Sequence, residues 1–186
     1  MHHRRILTAA LLATVLGAAE PAAIPLTGIW SVARTAPIMT VADGKQAPDP
    51  GISPIALAVV AGRLEGLRIE SRQLPATWDA WGGDWRQVDG EVTFWRTVQV
   101  PDPGTGAWEL CLGSIDDVDT TWINGTQVGS TDQTTPGYWA RPRRYLIPAG
   151  VLKTGENRIV VRVFDQGGLG GFNGSPESLQ LRPAPP

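Results

Sequence analysis

Histidine is almost absent from this sequence: the only two among 186 residues are His2 and His3, at the N-terminus. If that terminus is removed on export, no imidazole remains for a Ser-His-Asp or Cys-His relay, nor for a His-ligated zinc or iron. Cysteine is equally scarce. Cys111 stands alone, so no intrachain disulfide can form, and within the strand-like run 108–112 it reads as a buried, inert thiol. An excess of positive charge is also missing, since 16 basic residues face 18 acidic ones. That balance argues against nucleic acid or an anionic membrane surface as a partner.

Long apolar runs are missing too. The run from Ile6 to Ala18 follows the basic start Met1-His2-His3-Arg4-Arg5 and ends at the small residues Gly17-Ala18-Ala19. It is short for a membrane span and has the layout of a secretory signal peptide over 1–19; an uncleaved N-terminal anchor is the alternative. Arg4-Arg5 leaves twin-arginine export open beside the general route. No cysteine follows the run, so a lipid anchor is not supported. Without Arg4 and Arg5 the balance becomes 14 basic against 18 acidic residues, a net charge of −4. The expectation is a secreted or periplasmic domain over 20–186, free of the membrane once the leader is cleaved.

What the chain has in plenty is short β-prone runs between Pro, Gly and Asn turns. Residues 24–75 read as an irregular N-terminal part. A first strand lies near Leu26–Val32, Ile55–Val60 fits strand and helix equally, and Leu64–Ser71 alternates like a strand. From 76 onward the pattern sharpens. Val92–Val100, Trp108–Ile115, Arg143–Pro148, Asn157–Phe164 and Ser178–Leu181 read as strands. Asn124-Gly125 joins two runs as a type I′ hairpin turn. In that hairpin Thr121 faces Val128, with Thr121, Ile123, Thr126 and Val128 on one side and Thr120, Trp122 and Gln127 on the other. With no convincing amphipathic helix, the fold class is all-β. The long connections favour a jelly-roll β-sandwich of the galactose-binding type over a simple meander.

The order and spacing of several segments resemble a known family: Phe94-Trp95-Arg96, Leu112–Asp119, Trp122-Ile123-Asn124-Gly125, Arg143–Gly150, Gly155-Glu156-Asn157, and Val161–Asp165 with Gly167–Phe172. From about Trp85 to Leu181 the chain is similar to the β-sandwich domain of bacterial sialate O-acetylesterases. More broadly it resembles the sugar-binding jelly rolls of glycoside hydrolase family 2. Those esterases join the sandwich to a catalytic domain. Here no Gly-Gln-Ser-Asn or Gly-x-Ser-x-Gly nucleophile motif occurs. The resemblance therefore implies a non-catalytic carbohydrate-binding or accessory module. A carbohydrate esterase or glycoside hydrolase, or its truncated remnant, is the alternative. A structural domain docking on a separately encoded hydrolase is a third reading.

Candidate residues follow from this. Carbohydrate modules stack tryptophan faces on pyranose rings and reach hydroxyls with nearby polar groups. Trp78, Trp81, Tyr138, Trp139 and Arg141, in predicted loops, and Trp122, read as surface-facing, are the ligand-binding candidates. Trp30, Trp85, Trp95 and Trp108 read as packing residues. Asp116, Asp117 and Asp119 admit three readings: a glycosidase carboxylate pair, a Ca²⁺ site at Asp116 and Asp117 of the kind such sandwiches carry, or buried partners of arginine. The last is preferred, with Arg96 paired to Asp117 or Asp119 and Arg144 as the second cation. No other cofactor is indicated.

Overall fold

The alternations at 92–100 and 157–164 meet in one antiparallel pair. β4 (Gly90–Val100) and β9 (Gly155–Asp165) run in unbroken register from Gly90↔Asp165 to Val100↔Gly155. The structure is a computed structural model that describes residues 21–37, 48–86 and 88–185; the leader read over 1–19 lies outside the described residues. Around the central pair gather β2 (Gly28–Pro37), β3 (Glu70–Leu74), β6 (Val118–Ile123) and β7 (Thr126–Thr131), in the order β3-β2-β4-β9-β6-β7. The opposing sheet is built on β5 (Trp108–Asp116), which pairs with β8 (Pro142–Ile147), β10 (Gly171–Phe172) and β11 (Leu179–Pro183). The short β1 (Ile24–Pro25) lies beyond β11. All these pairings are antiparallel, and the architecture is an all-β jelly-roll sandwich.

The alternation that makes the strands also makes the core. Val92, Phe94, Val98 and Val100 on β4 and Ile159, Val161 and Val163 on β9 meet Leu110 and Leu112 on β5 and Leu179 and Leu181 on β11, all buried. Each such side chain contributes ~1.5–3 kcal/mol on leaving water. Arg96 shares the inward face of β4, at its margin, where Nη1 donates to the carbonyls of Leu26 (2.9 Å) and Thr27 (2.7 Å). It therefore anchors the segment after β1 instead of pairing with Asp117 or Asp119.

The outer face of the six-stranded sheet is covered as well. Ser53 caps a short helix, α1 (Pro54–Val60), by accepting from Ala56 N–H at 3.0 Å, with Pro54 in the first turn. Val59 and the flanking Ile52, Val60, Leu64 and Leu67 lie over Ala33, Trp95, Trp122 and Val160. Trp122 is thus 5% exposed and not surface-facing. Residues 64–69 belong to this cover, and the strand expected there begins only at Glu70. A buried polar latch holds the cover down. Arg162 bridges Asp49 with two bonds of 2.6 Å and Glu91 with one of 2.7 Å, while Ser53 Oγ donates to Glu91 at 2.5 Å.

The hairpin keeps its Asn-Gly turn, with positive φ at Asn124 (51°) and Gly125 (83°). A bulge past Trp122↔Gln127 sets Thr121 opposite Gly129, not Val128. Asn124 earns its place twice, donating to Val151 O and Asn157 Oδ1 and accepting from Arg158 N–H at 2.9 Å. The acid entering β6 has a different partner from the expected ones. Arg143 and Asp119, both with fully buried side chains, meet at 2.8 Å. Tyr145 and Thr121 hydroxyls also donate to the Asp119 carboxylate, at 2.9 and 3.0 Å. On β8, Arg143, Tyr145 and Ile147 point inward while Arg144 and Leu146 are exposed, so Arg144 is on the wrong side to pair with either acid. Removing one partner of a buried ion pair strands the other charge. Arg143→Ala is expected to lower unfolding free energy by ~3–5 kcal/mol in chemical denaturation. Arg96→Ala gives up two carbonyl bonds and costs ~1.5–3 kcal/mol; the reverse order would overturn this assignment.

Candidate functional site

The strand registers bring a set of acids to one end of the sandwich. β4 begins and β9 ends there, with Gly90 opposite Asp165, and β5 ends there, with Asp116 opposite Gly171 of β10. Asp117 follows at the β5–β6 junction, and Asp89 precedes β4. The glycine-rich stretch 167–171 closes this end as a tight corner. Trp78 N–H donates to Gly170 O at 2.9 Å, and the indole lies so close to Gly170 that a Cβ there would overlap the ring.

Asp165 is wholly buried. Its Oδ1 accepts from Gly167 N–H at 3.0 Å, and its carboxyl shares a hydrogen bond with that of Asp117. Asp117 Oδ2 in turn accepts from Gln166 N–H at 2.9 Å. Burial, then Asp117 and Asp89, push Asp165 up to about 8 against the pull of Gly167 N–H. Burial, then hydrogen bonding to and repulsion by Asp117, push Asp116 up to about 7, with Arg143 pulling the other way. Burial raises Asp89 as well, reinforced by Asp79 and Asp117. Asp116 and Asp165 therefore keep their protons toward neutrality.

An aromatic pair stands beside them. Tyr138 and Trp139 pack edge to face with ring centroids 5.2 Å apart, and Trp139 is 52% exposed. Their loop is pinned to the acid end from two sides. Tyr138 Oη donates to Gln166 Oε1 at 3.1 Å, and Ser114 Oγ donates to Ala140 O at 2.8 Å. The Tyr138 hydroxyl is pushed up by burial and then by Asp117 and Asp116, so it feels the same negative charge. Arg141 is exposed on this loop, and its carbonyl accepts from Arg143 Nη1 at 2.5 Å.

The other candidates are placed elsewhere. Trp78 is a core residue, stacked near Phe94 with its Nε1 donating to Val88 O at 2.9 Å. Trp81 is partly buried, edge-on to Trp85 at 5.0 Å and beneath the Arg72 guanidinium at 5.3 Å. Trp122 lies under the helical cover. Among the described residues no three Asp, Glu, His or Cys side chains are arranged to hold a metal ion. A groove of about 280 Å³ lined by Trp108, Ile147 and Leu152 sits at the opposite end of the sandwich. Asp165, Asp89, Gln166 and Arg143 were not singled out from sequence. The available signal was an acid closing an otherwise apolar strand, Val163-Phe164-Asp165.

No family model matches the sequence, and no curated protein matches it. Solved structures with a similar fold include three β-glucuronidases, each 18% identical over the aligned part. That from Ruminococcus gnavus has a TM-score of 0.55, covering 81% of this chain and 22% of the other. One from an uncultured Clostridium sp. has a TM-score of 0.57, with 79% and 23% covered. The Bifidobacterium dentium protein, complexed with coumarin-3-O-glucuronide, has a TM-score of 0.58, with 80% and 21% covered. This chain spans about a fifth of their length, and the likeness is one of fold.

The raised acids link stability to pH. An unfolded carboxyl titrates near ~4, whereas Asp116 and Asp165 hold their protons to about 7 and about 8 in the fold. Between these limits the folded chain binds more protons than the unfolded one, so their contribution is complete at low pH and is lost as pH rises. The melting temperature is expected to fall between pH 5 and pH 8.5. Asp165→Asn, which cannot ionise, should flatten that decline; equal slopes in wild type and variant would refute the assignment.

Proposed function

We propose that this chain is an exported, non-catalytic carbohydrate-binding β-sandwich, akin to the sandwich domains of sialate O-acetylesterases and of glycoside hydrolase family 2. The observation that carries the reading is the half-exposed Trp139, packed edge to face on Tyr138, whose hydroxyl is held by Gln166. An exposed, rigidly held ring offers a flat apolar surface for a pyranose face. Carboxyl and amide groups at its margin suit the hydroxyls around that face. The glycan would rest on Trp139, with Asp116 and Gln166 as the polar contacts and Tyr138 as the brace.

Hydrolysis is the poorer fit. A glycosidase sets its two carboxyls on either side of the bond to be cut, whereas Asp116 and Asp117 are adjacent and hydrogen-bonded to each other. A second reading, a sandwich working against a hydrolase module, draws support from the similar structures, in which the matching part is about a fifth of a larger chain. Glycan-array binding followed by calorimetry separates them. Trp139→Ala should abolish glycan binding without moving the melting temperature. Trp78→Ala, which empties the core, should cost ~3–5 kcal/mol of stability. Wild-type binding by Trp139→Ala would overturn the proposed site, and turnover of nitrophenyl glycosides or acetylated sialic acid would overturn the non-catalytic reading.

A further inference from the structure

Arginine collects where β2 ends and β3 begins, in a chain whose net charge is −2. Arg72 on β3 and Arg68 just before it both reach Glu70. Arg72 donates to its carboxylate through Nη2, and Arg68 Nε lies 3.6 Å from Oε1. The indole N–H of Trp85 takes a third place on the same carboxylate, at 3.1 Å. From β2, Arg34 stacks over the Trp85 ring with its guanidinium 4.3 Å from the centroid, and donates through Nη2 to the carbonyl of Asp84. One carboxylate and one carbonyl thus serve three arginines and an indole.

The shortage of acceptors extends inward. The Arg72 guanidinium lies over the rings of Trp81 and Trp85, at 5.3 and 5.7 Å. Arg72 Nε and Trp81 Nε1 are buried there and meet no acceptor among the described residues. Buried donors are seldom left so. Arg34 and Arg72 cover the tryptophans, whereas the Arg68 side chain is 82% exposed and brings charge without packing. Arg34, Arg68, Glu70 and Trp85 line a recess of about 70 Å³. That is roughly the share of two waters in the liquid, ~30 Å³ each, too small for a sugar ring and sufficient for one anionic substituent.

We propose that this recess is an oxyanion site, which takes a carboxylate or sulfate group between Arg34 and Arg68. A guanidinium laid on an aromatic face is held in place while its in-plane N–H groups remain able to fork an oxyanion. Arg34 keeps Nε and Nη1 for this purpose. Arg68 is held by one long contact, which a better acceptor displaces, and Arg72 offsets the charge of Glu70. The site uses none of the residues assigned to the Trp139 surface, so the two readings stand or fall separately.

The test is a titration of sodium sulfate into the ¹⁵N-labelled full chain, at an ionic strength held constant with chloride, following the Trp85 indole N–H by NMR. The resonance should shift and saturate at millimolar sulfate. Arg68→Gln, at an exposed position that leaves folding intact, should weaken binding about tenfold, and Arg34→Gln should do the same. Arg144→Gln, at an exposed arginine of the other sheet, should bind as wild type does. A galacturonate trimer and a sulfated galactose trimer then identify the source. Whichever displaces sulfate carries the group, and displacement by neither makes the free ion the ligand. Shifts that chloride reproduces without saturation would overturn the site, as would wild-type sulfate affinity in Arg68→Gln. Should Arg34→Gln disturb the packing of Trp85, Arg68→Gln decides alone.

Discussion

The buried Arg143–Asp119 pair is the interaction on which the arrangement of this protein most depends. One guanidinium joins β8 to β6 through Asp119, holds the β5–β6 junction through Asp117 O, and fixes the 138–141 loop through two carbonyls. A buried pair of this kind seldom adds net stability over an apolar replacement, because desolvation offsets the attraction. Its value here lies in geometry. Apolar contacts tolerate sliding, whereas a planar fork with all three nitrogens engaged does not. The loop bearing Trp139 and the β5–β6 junction bearing Asp117 are thereby tied to a common reference.

A second polar construction of the same kind works on the far face of the other sheet. β9 points Ile159, Val161 and Val163 into the sandwich and Val160 and Arg162 away from it. An outward arginine on a central strand needs either water or partners, and here Asp49, Glu91 and Gly51 O supply them. The same latch presses α1 and its flanks over Trp95 and Trp122. Each central strand is consequently buried on both sides, which explains why β4 and β6 show buried residues in sequence and not in alternation.

This double burial explains what was legible in the sequence. The long strands β4, β5 and β9 and the Asn124-Gly125 turn announce themselves through local chemistry: β-branched runs, flanking prolines, and a dipeptide suited to positive φ. The inward set Ile159, Val161 and Val163 follows from alternation alone. Alternation alone reads Trp122 as surface-facing, because it tells opposite faces apart but not which of them is covered, and the cover comes from a Pro-rich stretch with no periodicity of its own. Choosing between Arg143 and Arg144 needed the register of β8, which no local signal provides. Trp78 and Trp81 sit in a turn-rich run of the sort that usually marks a surface loop, yet the close approach of Gly170 lets Trp78 sink into the core. Trp139 lacks such a receiving glycine and remains outside.

Buried polar side chains on the strands are satisfied to different degrees. Away from the acid end, Asn157 is fully buried with every side-chain atom engaged, by Lys153, Gly155 and Asn124. Glu91 and Asp119 are likewise met by donors on both oxygens. Asp165 is the exception, buried as deeply but with one oxygen facing another carboxyl. A buried acid without a donor is costly unless it keeps its proton, and Asp165 with its proton is itself a donor toward Asp117, while its other oxygen holds Gly167 N–H at the corner.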